Sequence, residues 1–235
     1  IWSSMNGDFS ILGNEVLHIL LSNNVVDTGR TVLDIGCGAG ALSIPFASHG
    51  LRVIAVDTSE MMLEELNAHA ARLGLYTVET VCDSWRNVSP RLEIDLAIAA
   101  CFPDAFTPEG IKQLEQLSAS RCCFVFPAGE DPFPFRRLLW NRIMKAPLPK
   151  RHPLSMYAFN YLTTSGRRPG AVHRSWRVDL NIALTDISRF YARYFAIFGY
   201  TGKEVEKTIR STLEPFAANG SIRAEGEKTV AVVWW

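Results

Sequence analysis

Short runs of consecutive apolar residues alternate along the first half of the chain with longer stretches whose apolar residues recur every three or four positions. The continuous runs predict buried strands, and the periodic stretches predict amphipathic helices. The predicted strands are 31–35, 51–57, 77–83, 94–101 and 121–128. The predicted helices between or before them are 14–23, 40–49, 59–73 and 108–118.

This alternation predicts a doubly wound α/β fold with a mostly parallel sheet. Right-handed crossovers place helices on both faces of such a sheet, so its strands are apolar throughout. The rhythm changes after residue 128, and a less regular, partly helical segment is expected to cover the site. The elements predicted there are a helix at 154–165, a strand at 171–180, helices at 185–198 and 202–218, and an antiparallel hairpin of 221–225 with 228–235.

We therefore expect a single domain over residues 1–235. Its predicted parts are a core at 1–130, a covering segment at 131–180, and C-terminal helices with a hairpin at 181–235. The chain has 235 residues, of which 48% are hydrophobic, and this is enough for one large core. The formal net charge is zero, which indicates neither nucleic acid nor an anionic membrane surface as a partner.

Apolar runs and cysteines bear on the expected location of the protein. No apolar run reaches the roughly 20 residues that span a bilayer, and the first residues lack a basic segment followed by an apolar one. We expect a cytoplasmic protein with no membrane partner. The cysteines contain no Cys-x-x-Cys pair, so we expect small buried residues in a reducing compartment and no metal site. They are Cys37, Cys82, Cys101, Cys122 and Cys123.

A glycine-rich loop with an acid in front of it follows the first predicted strand. The loop contains Gly36, Gly38 and Gly40, and the acid is Asp34. Glycines let backbone turn tightly and approach a ligand, and the spacing by itself also fits a dinucleotide fingerprint. A carboxylate would oppose a pyrophosphate by roughly 1 to 4 kcal/mol, whereas it would attract the ammonium and sulfonium of S-adenosylmethionine. Asp34 thus favours S-adenosylmethionine over a nicotinamide dinucleotide.

Four segments in order resemble the signatures of class I S-adenosylmethionine-dependent methyltransferases. They are VLDIGCGAG at 32–40, VIAVDTSEMML at 53–63, VCDSW at 81–85 and IDLAIAACF at 94–102. The likeness covers roughly 31–128 and is similar to the small-molecule type related to ubiquinone-biosynthesis methyltransferases. It implies a Rossmann-like methyltransferase fold, S-adenosylmethionine as the cofactor, and transfer of its methyl group to a small acceptor, either anionic or aromatic.

The resemblance also implies, position by position, which residues hold the cofactor. The glycine loop would hold the methionine portion, Asp57 would accept the ribose hydroxyls, and Asp83 would accept the adenine amino group. Residues 99–102 would lie under the reacting methyl group. The implied cofactor-binding residues are Asp34, Gly36, Cys37, Gly38, Gly40, Asp57, Thr58, Met62, Asp83, Ser84, Trp85 and Ala100.

No catalytic base is fixed by the pattern. A methyl group on a sulfonium has a good leaving group, so alignment alone supplies much of the acceleration when the nucleophile is ionised or electron-rich. The candidates for a base, chosen by position, are Asp104, His152, Tyr157 and His173. Ala99-Ala100-Cys101-Phe102 lacks the polar-Pro-Pro-aromatic sequence of enzymes that methylate amino nitrogens of adenine or glutamine.

The segment 131–180 carries ten Lys or Arg residues against two acids. Such a surface attracts an anionic substrate or a phosphate backbone, and equally its cations pair with acids elsewhere in the chain. Three alternatives to small-molecule methylation stay open. They are an RNA-modifying methyltransferase, a protein that binds S-adenosylmethionine without catalysis, and an NAD-dependent oxidoreductase. The sequence does not fix the oligomeric state.

Overall fold

The computed structural model of the chain describes residues 6–89, 93–118, 120–149 and 154–235, with side chains from residue 11 onward. The described residues form eight α-helices and eight strands. The helices are α1 Asn6–Ser22, α2 Ser43–Ser48, α3 Glu60–Arg72, α4 Pro108–Leu117, α5 Phe135–Met144, α6 Leu154–Thr164, α7 Leu184–Ala196 and α8 Lys203–Leu213. The strands are β1 Thr31–Ile35, β2 Arg52–Asp57, β3 Val78–Cys82, β4 Leu96–Ala100, β5 Arg121–Ala128, β6 Gly170–Ala183, β7 Ala217–Ala218 and β8 Ser221–Trp234.

The strands form one sheet in the order β3-β2-β1-β4-β5-β8-β6, and β7 pairs with β8. β1 runs parallel to β2 and β4, β2 runs parallel to β3, and β4 runs parallel to β5. The chain progresses outward in one direction from β1 to β3 and in the other from β4 to β5. The carboxyl ends of β1 and β4 therefore mark the switch point, where ligands bind in such sheets. This arrangement confirms the predicted doubly wound, mostly parallel fold.

Burial explains why these strands form without alternating polar positions. All five residues of β1 are buried, as are the first four of β4 and the stretch 122–126 of β5. Helices cover both faces, so each strand residue has an apolar neighbour above or below the sheet. The site at the carboxyl edge consequently rests on a rigid, fully packed support.

The predicted C-terminal hairpin is wrong, because Ser221–Trp234 is one continuous strand. Gly226, which suggests a turn in the sequence, lies within that strand. A Cβ on it would come 2.5 Å from the carbonyl oxygen of Pro132, so the glycine serves a close approach of backbone. The antiparallel character is nevertheless present: β7 pairs antiparallel with β8, and Cys122 and Trp235 exchange both backbone hydrogen bonds.

Two further expectations need correction. The sequence prediction omits α5, which begins after Pro134 in the Pro- and Arg-rich stretch. Two of the five cysteines, Cys82 and Cys101, are exposed rather than buried. Cys82 lies on β3, an edge strand, and Cys101 follows the end of β4, so neither position is covered by helices on both sides.

By their contacts, the described residues group into two compact units. Within the described ranges, the core unit comes from the part up to residue 128, from 154–174 and from 230–235, and the second unit comes from 129–149 and 175–229. The second unit has an aromatic interior, in which the Trp140 and Phe195 rings lie 6.2 Å apart and Phe135 contacts Phe216 edge-on. That the chain behaves as a single domain stays a prediction.

Candidate functional site

The three glycines of the loop after β1 all adopt positive φ, at 67°, 52° and 87° for Gly36, Gly38 and Gly40. A Cβ on Gly36 would lie 2.5 Å from the Phe102 ring, and one on Gly40 would lie 2.3 Å from Leu66. Gly38 has nothing within 4 Å of its Cβ position. Two glycines thus permit close packing, whereas the middle one leaves open space for a ligand above the loop.

Asp34 projects from β1 into the base of this loop and is 2% exposed. The Ser43 hydroxyl on α2 donates a hydrogen bond of 2.6 Å to its Oδ2. Burial raises the pKa of the carboxyl to about 6, against the lowering effect of the Ser43 hydrogen bonds. Within the described part of the chain no Lys or Arg side chain pairs with it. A buried carboxylate in this state favours a ligand that brings a positive charge.

Asp57 ends β2 on the other side of the loop. Its Oδ2 accepts the Gly38 N–H at 2.8 Å, and its Oδ1 accepts the Ser59 N–H at 2.9 Å. Each carboxylate oxygen has a second lone pair, so the side chain can still accept two hydroxyl groups. The carboxylate therefore orders the loop and remains able to bind a diol.

A cleft of about 490 Å³ opens over the loop within the core unit. Seven of the twelve predicted cofactor residues line it. They are Asp34, Gly36, Cys37, Gly38, Gly40, Met62 and Ala100. Burial raises the pKa of the Cys37 thiol well above its ordinary value, so this cysteine shapes the loop and is not a nucleophile.

The other five predicted residues do not line this cleft. Asp57 adjoins it through its hydrogen bond to Gly38, and Thr58 is exposed. Asp83 lines a second cavity, of about 210 Å³, and accepts hydrogen bonds from the Ser84 N–H at 2.6 Å and the Asn87 amide at 2.8 Å. Ser84 caps a short 3₁₀ turn, Trp85–Asn87, through its hydroxyl.

Trp85 and Asp104 meet in the loops that follow β3 and β4. The Trp85 ring is packed in the core, with the residue 4% exposed, and its Nε1–H donates to Asp104 Oδ2 at 2.7 Å. The Arg86 guanidinium donates to Asp104 Oδ1 at 2.9 Å. The Trp85 hydrogen bond, followed by that from Arg86, lowers the pKa of Asp104 below its ordinary value. A carboxylate held in this way is a weak proton acceptor.

The remaining candidates for a base are not gathered at the cleft. Tyr157 lies on α6 and is 57% exposed, and His173 lies exposed on β6. Neither side chain lines the cleft. His152 lies outside the described residues.

The sequence prediction missed several residues that line the cleft or lie beside it. Ser43, the partner of Asp34, is a polar residue inside the apolar run that becomes α2, and that contrast was its available signal. α3 contributes a polar stripe at helical spacing from Met62. The members of this stripe are Glu65, His69 and Arg72. Leu12 of α1 also lines the cleft.

Half of the eight described Lys and Arg residues in the segment 131–180 form ion pairs. Arg167 binds both Glu115 oxygens at 2.6 Å, and Arg174 pairs with Glu15, both within the core unit. Within the second unit, Arg136 pairs with Asp131 and Arg177 with Glu225. Acids outside the segment, Glu115, Glu15 and Glu225, thus pair with three of its cations, whereas Asp131 belongs to the segment itself.

Two searches of the described residues bear on the expected cofactors and partners. Across the described ranges, no group of three or more His, Cys, Asp or Glu side chains is placed to hold a metal ion. No helix in the same part of the chain is long and apolar enough to cross a membrane.

Comparison with known proteins agrees with the geometry. Residues 32–119 match the family model described as a methyltransferase domain. The chain is 26% identical over 228 residues to an uncharacterized protein of Haemophilus influenzae, covering 92% of this chain and 80% of that protein. It is 51% identical over 47 residues to the ubiquinone biosynthesis O-methyltransferase of Caulobacter vibrioides, which covers 20% of this chain and 19% of that enzyme.

A solved structure shows the same fold. It is the magnesium protoporphyrin IX methyltransferase of Synechocystis PCC 6803 with bound S-adenosylhomocysteine, with a TM-score of 0.53 and 16% identity over 97% of this chain and 83% of that one. The family match covers the glycine loop, both acids that flank it and the strands that support them. Together these findings show that residues 32–119 match a methyltransferase domain and that the chain has the fold of a structure that binds S-adenosylhomocysteine.

Proposed function

We propose that the protein transfers the methyl group of S-adenosylmethionine to a small-molecule acceptor. One observation carries the proposal: two carboxylates, Asp34 and Asp57, flank the open space above Gly38, and among the described residues no Lys or Arg side chain pairs with either of them. This donor and acceptor set suits a ligand with an ammonium group at one end and a ribose diol at the other.

The residues present fit the cofactor. Asp34 would attract the ammonium group, the loop backbone would carry the methionine portion, and Asp57 would accept the ribose hydroxyls. When bound, S-adenosylmethionine supplies an electrophilic methyl group on a positively charged sulfur. The chain's own contribution is to orient the acceptor and keep water from the cleft, and positioning of this kind supplies up to roughly 7 to 11 kcal/mol in well-oriented systems.

None of the described candidates for a base lines the cleft, and its proton acceptors other than Asp34, which are Glu65 and His69, lie on α3 and not in the glycine loop. Asp104 is engaged by Trp85 and Arg86. We therefore propose an acceptor whose nucleophilic atom is already ionised or electron-rich, so that the protein needs only to align it.

Calorimetry with purified protein tests the cofactor half of the proposal. S-adenosylhomocysteine and S-adenosylmethionine are expected to bind, and NAD is expected to release no heat. Asp57→Ala removes two charge-assisted hydrogen bonds of roughly 1.5 to 3 kcal/mol each, so the Kd should rise by about a hundredfold or more. Glu60→Gln, an exposed acid three residues along, is the matched control and should bind as the wild type does. Binding of NAD instead of the sulfonium cofactor would refute the proposal.

Transfer of a tritiated methyl group tests the acceptor half. Incubation with fractionated small metabolites and, separately, with total RNA should label the small-molecule fraction. Label in RNA, with steep loss of binding as salt rises and on neutralising the exposed Arg137 and Arg168, would support the RNA-modifying alternative instead.

A further inference from the structure

Three loops meet at the carboxyl edge of the sheet through aromatic rings. The Trp85 ring, after β3, lies edge-on to the Phe102 ring, after β4, with ring centroids 6.4 Å apart. The Phe102 ring in turn fills the volume that a Cβ on Gly36 would occupy, with Cδ2 2.5 Å from that position. The chain of contacts thus runs from Trp85 through Phe102 to the glycine loop, which lines the cleft.

Asp104 contacts Trp85, the outermost residue in this series of contacts. Its carboxylate accepts the Trp85 Nε1–H at 2.7 Å and the Arg86 guanidinium at 2.9 Å. The guanidinium also lies over the indole, with its Cζ 5.1 Å from the ring centroid. A buried indole N–H without an acceptor is costly, whereas the half-exposed ion pair contributes little. Of the two polar contacts of Asp104, the hydrogen bond to Trp85 is therefore the one that matters more for holding the packed ring in its orientation.

We infer that Asp104 is a positioning residue for the cofactor site: by holding the buried Trp85 indole it fixes the Phe102 ring against Gly36. The inference rests on the proposed function, since the glycine loop is the part of the cleft assigned to the cofactor. Asp104 itself does not line the cleft, so it acts through the two rings and does not touch the reacting atoms.

Calorimetry with S-adenosylhomocysteine separates this role from a base. Asp104→Ala leaves the indole N–H without its acceptor, and the Kd should rise by about tenfold. Asp104→Asn keeps an oxygen acceptor and should bind within about twofold of the wild type. Glu109→Gln, an exposed acid five residues along, is the matched control. In a Trp85→Phe background, which lacks the donor, adding Asp104→Ala should change the Kd by less than about twofold.

A spectroscopic readout distinguishes positioning from a loss of overall stability. The protein is labelled with 5-fluorotryptophan, and the Trp85 resonance is assigned by its absence in Trp85→Phe. In Asp104→Ala this resonance should move and broaden, while those of the other tryptophans stay in place. In the wild type it should also shift when S-adenosylhomocysteine is added.

The outcomes are separable from those of the proposed function. If the wild type does not bind S-adenosylhomocysteine, the proposed function and this inference both fail. If the wild type binds and Asp104→Ala binds equally well, or if the Trp85 resonance is unchanged in Asp104→Ala, the inference alone is overturned. A lower melting temperature with an unchanged Kd would likewise assign Asp104 a structural role and overturn it.

Discussion

Two acids near the carboxyl ends of neighbouring strands have opposite environments at the same edge of the sheet. Asp34, within β1, is buried beside Ser43, and burial raises its pKa to about 6. Asp104, in the loop after β4, is half-exposed, and the hydrogen bonds from Trp85 and Arg86 lower its pKa. The buried acid has no cationic partner among the described residues and is fitted to receive one, whereas the exposed acid is already satisfied. The difference supports the proposal that the first acid binds a ligand and the second orders its neighbours.

Gly36→Ala should produce the largest effect, because residue 36 is where the loops of the two acids touch. The new Cβ costs about 1 to 2 kcal/mol at positive φ and about 1 to 3 kcal/mol more against the Phe102 ring. Denaturant unfolding without ligand should show a total loss of about 2 to 5 kcal/mol. Gly38→Ala, also at positive φ but with nothing within 4 Å, isolates the backbone strain. Equal losses for the two variants would contradict the contact with Phe102.

Asp34→Asn should stabilise the unliganded protein while weakening cofactor binding. A pKa raised from 3.8 to about 6 means that ionised Asp34 opposes folding at neutral pH by up to about 3 kcal/mol. The amide removes that charge and still offers an oxygen to the Ser43 hydroxyl. The free energy of unfolding at pH 7.5 should therefore rise, and the Kd for S-adenosylhomocysteine should rise too. A loss of stability in this variant would contradict the free-energy cost assigned to the buried charge.

Cofactor affinity should depend on pH through Asp34. The pKa of about 6 belongs to the unliganded protein, and an ammonium group beside the carboxyl would lower it. Binding is then strongest above pH 6 and weakens by up to about tenfold per pH unit as pH falls below 6. Stability of the unliganded protein runs the other way, since a raised pKa means that stability is lost as pH rises from about 4 through 6. Calorimetry between pH 5 and 7 should show this slope in the wild type and a flat profile in Asp34→Asn.

Asp104→Asn should have the smallest effect on stability and the opposite sign to Asp34→Asn. The ion pair with Arg86 is exposed, so its loss costs less than about 1 kcal/mol, and the amide oxygen still accepts the Trp85 N–H. Thermal unfolding of the two variants in parallel provides the check. A stabilised Asp104→Asn would remove the contrast between the two acids.

The sequence predicts the parallel half of the fold well and the C-terminal part less well. Strands such as Thr31–Ile35 and Arg121–Ala128 are mostly apolar without an alternating polar pattern, and local composition marks both ends of them. Gly226 led to a wrongly predicted hairpin turn, because its role is the close approach to Pro132, which lies far away in the chain. A glycine's local pattern does not reveal whether it makes a turn or admits a neighbour.

In the candidate site, too, local sequence signals predict some features, and other features depend on residues that are distant in the chain. The glycine loop with Asp34 and Asp57 follows from motif and charge, because those signals are contiguous or lie at a fixed interval. The hydrogen bond between Trp85 and Asp104 joins two loops that follow different strands, and neither residue type at its position predicts the other. Burial of Asp34 likewise depends on how α2 packs, which periodicity alone does not give.

The overlap of the Phe102 ring with the missing side chain of Gly36 has a consequence for altering the enzyme. These two positions share one volume, so they can be enlarged or reduced only in compensation. Any larger side chain at residue 36 by itself meets the Phe102 ring, whereas combining Gly36→Ala with Phe102→Leu relieves that contact and leaves the backbone strain of the positive φ.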